Sequence, residues 1–153
     1  MATNLTIEER YDEALAQTML EHGHKGGGAL PVYLGIELLR FAPGKLWCRA
    51  TMRDELLTPF GTVHGGVVAG IIDHVTGVVV YPLMPPKHWA ATTEIKTNYI
   101  APVQGGVLET ESTVLAITNR SAVVRGEIYA DGRLVAAAQG TLTIVAPRTG
   151  SPS

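Results

Sequence analysis

The stretch Val63-His64-Gly65-Gly66-Val67-Val68-Ala69-Gly70-Ile71-Ile72-Asp73-His74-Val75-Thr76-Gly77-Val78-Val79-Val80-Tyr81 decides how this chain folds. It is the longest weakly polar run, but His64, Asp73, His74 and Thr76 interrupt it and four glycines lie inside it, which makes a membrane span a poor reading. A helix buried in protein fits better. Val67, Val68, Ile71, Ile72, Val75, Val78 and Val79 then need a cover, and one antiparallel sheet wrapped around the helix is the simplest.

The flanking sequence supplies that sheet. Strand formers fill residues 34–52 around the turn signal Ala42-Pro43-Gly44, which predicts a hairpin, and a loop over 53–60 leads to the apolar helix. Beyond it, Pro82, Pro85 and Pro86 forbid further helix, and strands are expected at 89–100, 107–117, 122–130 and 134–145. Asp131-Gly132 suits a two-residue hairpin turn between the last two. Ala122, Val124, Gly126 and Ile128 alternate with Val123, Arg125, Glu127 and Tyr129, so one face is buried and the other partly wet.

At the N-terminus, Thr6-Ile7-Glu8-Glu9 has the capping-box pattern, and Ile7, Tyr11, Leu15 and Met19 recur every four residues. One helix is therefore expected over about 6–22, ended by the glycines of Gly23-His24-Lys25-Gly26-Gly27-Gly28. His22 and His24 have no third ligand nearby, so no metal site is read there. The order of elements predicts an α+β chain with an antiparallel sheet. Its main domain covers 32–146, preceded by the N-terminal helix and Gly-rich linker over 1–31 and followed by a flexible tail over 147–153.

Composition agrees with one such domain. The 153 residues are 46% hydrophobic and 17% charged with a mean hydropathy of +0.17, which argues for a large buried surface, part of it at a subunit interface. With 12 Lys and Arg against 14 Asp and Glu, the formal charge of -2 offers no general attraction to nucleic acid or an anionic membrane, and no local basic patch replaces it. The one cysteine, Cys48, cannot form an internal disulfide and reads as a small core residue. With no basic region leading into an apolar run at the start, the expected compartment is the cytoplasm.

Two features of the apolar helix carry chemistry. His64-Gly65-Gly66 opens it, leaving backbone N–H groups accessible where the helix dipole favours developing negative charge; a glycine pair also serves close packing. Asp73 sits mid-helix among Ile71, Ile72 and Val75, so its carboxylate faces a cavity or an interface, or bonds to Thr76 or to the sheet backbone. Such a group could serve as general base on water or as nucleophile on an acyl carbon. Gly65 and Asp73 are separated by roughly 12 Å of helix rise, too far for one carbonyl to touch both. If both serve one acyl carbon, the carboxylate comes from a second copy in a two-fold dimer with antiparallel helices side by side. The chain has no serine-hydrolase, phosphate-binding, dinucleotide or His-Glu-x-x-His motif.

These residues resemble a family. Pro59-Phe60-Gly61-Thr62-Val63-His64-Gly65-Gly66, with Asp73 nine residues after His64, and Thr93-Glu94-Ile95-Lys96-Thr97-Asn98-Tyr99-Ile100-Ala101-Pro102 are similar to the hotdog-fold acyl-CoA thioesterases of the phenylacetate-pathway and 4-hydroxybenzoyl-CoA type. The likeness runs over about 32–145. It implies a hotdog fold, hydrolysis of acyl-CoA to a carboxylic acid and CoA, no cofactor or metal, and a homo-oligomer, a dimer at least and a tetramer in its fuller form. It also implies that the Gly65 amide polarises the thioester carbonyl, with Gly66 beside it, that Asp73 of the facing subunit is base or nucleophile, and that His64 shapes the helix entrance. Thr76 or Gly77 falls where some members hold the attacking water, and Thr92 where others carry a hydroxyl assisting the acid. The turn Asn119-Arg120-Ser121 is the implied coenzyme A contact, with Lys87 and Arg148 as further phosphate partners.

One position departs from the family. Thr58, six residues before His64, stands where Asn or Gln often orients the water or the acid, and its hydroxyl is shorter than an amide. A second reading, an acyl-CoA-binding hotdog protein without efficient hydrolysis, rests on that change. A third, a hotdog hydratase or dehydratase, needs a histidine across from the acid, whereas His74 is offset from Asp73 by about 100° on the helix.

Overall fold

A computed structural model describes residues 5–23 and 28–147. Its elements are α1 (Ile7–Arg10), α2 (Glu13–His22), α3 (Ala29–Tyr33), β1 (Ile36–Ala42), β2 (Lys45–Thr51), α4 (Gly65–Val78), β3 (Trp89–Tyr99), β4 (Val107–Ile117), β5 (Ser121–Ala130) and β6 (Arg133–Val145). The six strands form one antiparallel sheet in the order β1-β2-β4-β5-β6-β3. All six expected strands are present, with β4 ending where its hydrophobic run does. His24, Gly26, Gly27, Arg148 and the tail from 148 onward lie outside the described residues.

Strand alternation creates the core. Leu46, Cys48 and Ala50 of β2, Leu108 and Val114 of β4, Val124 and Ile128 of β5, and Ala136, Ala138 and Leu142 of β6 all turn inward and are buried. The opposite face is charged, with ion pairs Lys45 to Glu111 at 3.0 Å and Arg49 to Glu37 at 2.7 Å and the Arg40 guanidinium 3.5 Å from the Trp47 ring centre. Exposed pairs of this kind add little stability, so the inward face holds the sheet to its helix. Burial pushes the Cys48 thiol up to about 12, against a smaller opposing effect of the Thr110 hydroxyl, as befits a core side chain rather than a nucleophile.

Against that face lies α4, burying Val68, Ile71, Ile72, Val75 and Thr76 on one side and continuing into buried Val79, Val80 and Leu83. A run of Val and Ile has low helix propensity, at most about 0.7 kcal/mol per residue below Ala. Burial of each such side chain contributes about 1.5–3 kcal/mol, so packing wins. The 19 residues Gly65–Leu83 have a mean hydropathy of 1.6, long and apolar enough to cross a bilayer, yet here they are the core helix of the sheet.

The close approach of helix and sheet depends on one glycine. A Cβ on Gly126, in the middle of β5, would lie 2.8 Å from Thr76 Cγ2 and 3.7 Å from Ile72 Cγ2. Thr76 cannot easily turn away, since its hydroxyl donates to the Ile72 carbonyl at 2.7 Å.

The N-terminal region differs from the single helix expected over 6–22. Thr6 closes a capping box with Glu9, its hydroxyl accepting from the Glu9 amide at 3.2 Å and its own amide donating to Glu9 Oε2 at 2.7 Å. Asp12 then caps a second helix by accepting from the Leu15 amide at 2.9 Å, while its own amide donates to the Pro82 carbonyl at 2.8 Å. Two N-caps so close cannot share one helix, because a capping residue has extended backbone. The result is two helices, with Ala16 of α2 buried against the core; part of the expected linker also coils into α3.

Gly126→Ala is expected to destabilise the protein by about 1–3 kcal/mol, because the added methyl forces α4 away from β5. Chemical denaturation of the variant beside the parent measures it; equal midpoints and slopes would show that the helix does not rest on this glycine.

Candidate active site

The entrance to α4 is built by the loop before it. The His64 amide donates to the Leu56 carbonyl at 3.0 Å and the Val63 amide to the Val103 carbonyl at 2.7 Å, with Leu56 and Val63 buried beneath. His64 is the N-cap residue at φ -58° and ψ 135°, and its side chain makes no capping bond. The Gly65 and Gly66 amides, first in the helix, therefore have neither an intrahelical acceptor nor a side-chain cap. Both glycines are exposed, and around Gly66 nothing lies within 4 Å of where a Cβ would be. These are donors open to an incoming anion or polarised carbonyl.

Gly65 borders a cavity of about 300 Å³ that it shares with Thr62, Val68, Tyr99 and Pro102. Tyr99, which sequence reasoning did not select as a site residue, donates its hydroxyl to the Gly65 carbonyl at 3.2 Å and so ties the end of β3 to the helix entrance. Its place in the motif-bearing strand was visible in the sequence; its partner 34 residues away was not.

Asp73 borders a different and larger cavity, of about 530 Å³. Its carboxylate is on the exposed side of α4, away from Ile71, Ile72 and Val75, as a charge in an apolar helix must be. Thr92 of β3 lines the same cavity, so the structure brings together these two predicted residues. His74 and Gly77 also line it, the former despite its angular offset from Asp73. The outer wall comes from α2.

Other predicted residues stay apart. Thr76 is buried, with its hydroxyl bonded to the Ile72 carbonyl, and does not reach the Asp73 cavity. Thr58 organises the loop: its hydroxyl accepts from the Phe60 amide at 3.2 Å and the Thr62 amide at 3.4 Å and lies 3.0 Å from Thr62 Oγ1. It borders neither cavity. Asn119, Arg120 and Ser121 form the β4–β5 turn, in which Thr118 Oγ1 accepts from the Arg120 and Ser121 amides at 3.1 Å. Asn119 Oδ1 accepts from Arg10 at 2.9 Å, while the Arg120 guanidinium is exposed.

Two surfaces around the site lack a cover. The edge strand β3 has no buried residue along its 11 positions and pairs only with β6, leaving a long open edge. On the exposed side of α4, Gly66, Ala69, Asp73 and Gly77 fall at three- and four-residue spacing, and no atom lies within 4 Å of a Cβ built on Gly66 or Gly77.

The comparisons with known proteins agree with this fold. A family model described as the thioesterase superfamily matches residues 60–137. The 1,4-dihydroxy-2-naphthoyl-CoA hydrolase of Listeria monocytogenes is 25% identical over 84 residues, 55% of this chain and 68% of that protein. Among solved structures, a mutant of the phenylacetic acid degradation protein PaaI of Thermus thermophilus is 26% identical, with a TM-score of 0.67, over 74% of this chain and 96% of its own. A thioesterase family protein from Silicibacter pomeroyi, at 22% identity, matches the fold with a TM-score of 0.78 over 85% of this chain and 98% of its own.

The loop bonds of Thr58 generate a stability prediction. Thr58→Val keeps the shape but leaves the Phe60 and Thr62 amides without their acceptor, and is expected to cost about 1 kcal/mol. Thr58→Asn restores a side-chain acceptor for these amides from one bond further out and is expected to lie nearer the parent. Thermal unfolding of the two variants ranks them, and the reverse order would remove the hydroxyl from its structural role.

Proposed function

The chain belongs to the thioesterase superfamily, has the hotdog fold and is a thioester hydrolase, and from that premise we propose that its substrates are acyl-CoA thioesters, split into a carboxylic acid and free CoA. The observation that carries the reading is that Gly65 and Asp73 border separate cavities along one helix, so each supplies half of a site. A second subunit completes it. The open edge of β3 and the small-residue face of α4 support a two-fold dimer in which two sheets join at β3 and two α4 helices run antiparallel. Pairs of such dimers, a cytoplasmic setting and the absence of a cofactor belong to the same reading.

In such a site the thioester oxygen accepts from the Gly65 amide of one subunit, and the Asp73 carboxylate of the other faces the carbonyl carbon. As general base, Asp73 takes a proton from water as its oxygen attacks, the amide stabilises the oxyanion, and collapse breaks the C–S bond and returns the proton to the thiolate. As nucleophile, Asp73 attacks the carbonyl carbon and expels the CoA thiolate to leave a mixed anhydride; water then hydrolyses the anhydride, freeing the acid and the Asp73 carboxylate, with one proton of the water passing to the thiolate and the other leaving with the acid. Both routes need the charge at Asp73 and the donor at Gly65. Thr92 borders the cavity of Asp73 and is suited to assist the acid; His64, Thr58 and Tyr99 hold the helix entrance. For the nucleotide end of CoA, the exposed Arg120 is the suggested phosphate contact.

Asp73→Asn keeps volume and removes charge, so kcat is expected to fall on the order of a hundredfold or more with the fold intact. Thiol release from a panel of aryl- and alkyl-CoA esters measures it and separates this reading from a protein that only binds acyl-CoA, which would release none. Unchanged turnover would remove Asp73 from the reaction.

Sharing of the site can be tested directly. Gly65→Pro deletes the amide where proline is tolerated, at the first helical position, and His64 already has the extended backbone proline demands of its predecessor. Mixed at random with Asp73→Asn subunits, it is expected to recover about a quarter of the parent sites, since each mixed dimer has one intact site. Verified subunit exchange without recovered activity would mean that Gly65 and Asp73 do not meet across an interface.

A further inference from the structure

The cavity beside Asp73 has a wall that the catalytic reading leaves without a task. Leu15, Thr18, Met19 and His22 line it from α2, at positions i, i+3, i+4 and i+7, which is a single helix face. The neighbouring face of α2 docks the helix through buried Ala16 and half-buried Leu20, while exposed Leu15 and Met19, which packs against the margin of the core, line the cavity. Across from them are Leu38, Val78, Tyr81 and Ala90, all partly buried and apolar.

Resting on the proposed hydrolysis, we infer that this cavity takes the acyl group and that Leu15 and Met19 of the N-terminal helix set acyl selectivity, from the same subunit that supplies Asp73. The directions at the reacting carbon lead there. Its oxygen is assigned to the Gly65 amide of the other subunit and its sulfur to the coenzyme A side, so its carbon substituent takes the remaining direction, past Asp73. The space bordering Asp73 is this largely apolar cavity.

The dimensions name a substrate class. From Leu15 to His22 the wall runs roughly 10 Å along α2. Two long fatty chains end to end span the bilayer core of roughly 30 Å, so one needs about 15 Å and outruns the wall. Aryl-acetyl or medium-chain acyl groups fit. Each methylene buried against the wall raises kcat/KM about fourfold, and carbons beyond the wall add nothing.

The experiment compares octanoyl-CoA with acetyl-CoA, and palmitoyl-CoA with octanoyl-CoA, by thiol release. The parent is expected to favour octanoyl over acetyl by at least tenfold and to gain nothing further with palmitoyl. Met19→Ser, which makes the wall polar, and Met19→Trp, which fills the cavity, are each expected to lower the octanoyl-to-acetyl ratio at least tenfold. Leu15→Ser, at a position 36% exposed, gives the same reading if the Met19 variants fold poorly. Gln17→Ala, on the solvent side of α2 where Gln17 bonds to Glu21, controls for loosening of the helix. Ratios within twofold of the parent in the wall variants, or an equal fall in Gln17→Ala, would overturn the inference. Should the parent release no thiol from any ester, the hydrolysis reading falls separately, and the same ratios taken from dissociation constants decide this one.

Discussion

The contact between α4 and the inward face of the sheet is the constraint on which the rest of the molecule depends. Val68, Ile71, Ile72 and Val75 are buried here, in one core with Leu46, Leu108, Val124 and Leu142 of the sheet. Each partner is unstable alone, and the missing side chain of Gly126 lets them meet at Thr76. Helix propensity and surface ion pairs are small beside this burial.

Once α4 is held by one side, its other features follow from geometry. A polar residue can appear only on the side turned away from the sheet, which is where Asp73 stands, and the helix start, where amides lack partners, projects beyond the buried stretch. A chemically useful acid and a useful donor thus sit roughly 12 Å apart on one rigid rod. The rod that stabilises the fold also holds them apart within one chain, and in the proposed dimer the exposed edge of β3 would bring the second copy that each needs.

Much of this was legible in the sequence. Period-two alternation and proline punctuation located six strands, because those signals are local and the burial that enforces them is strong. The His64-Gly65-Gly66 start and the isolated Asp73 stood out for the same reason. The N-terminal helix reads as continuous, since Ile7, Tyr11, Leu15 and Met19 keep their spacing across Tyr11-Asp12, although in the structure Asp12 caps a new helix. For Thr58 and Thr76 the sequence does not show which partners their hydroxyls take, since a hydroxyl bonds to whatever acceptor or donor is nearest, here the loop amides and the Ile72 carbonyl.

The sequence by itself determined the order of the six strands and the apolar helix, the buried side of β5 and of α4, and which residues are proposed for thioester chemistry, because each of these depends on side-chain type and short-range spacing. Only the tertiary structure decided that Gly65 and Asp73 open into different cavities, that Tyr99 returns to the Gly65 carbonyl, and that Leu15 and Met19 stand over the space beside Asp73. Those contacts join residues tens of positions apart. They are set by how the layers pack, which no local period encodes.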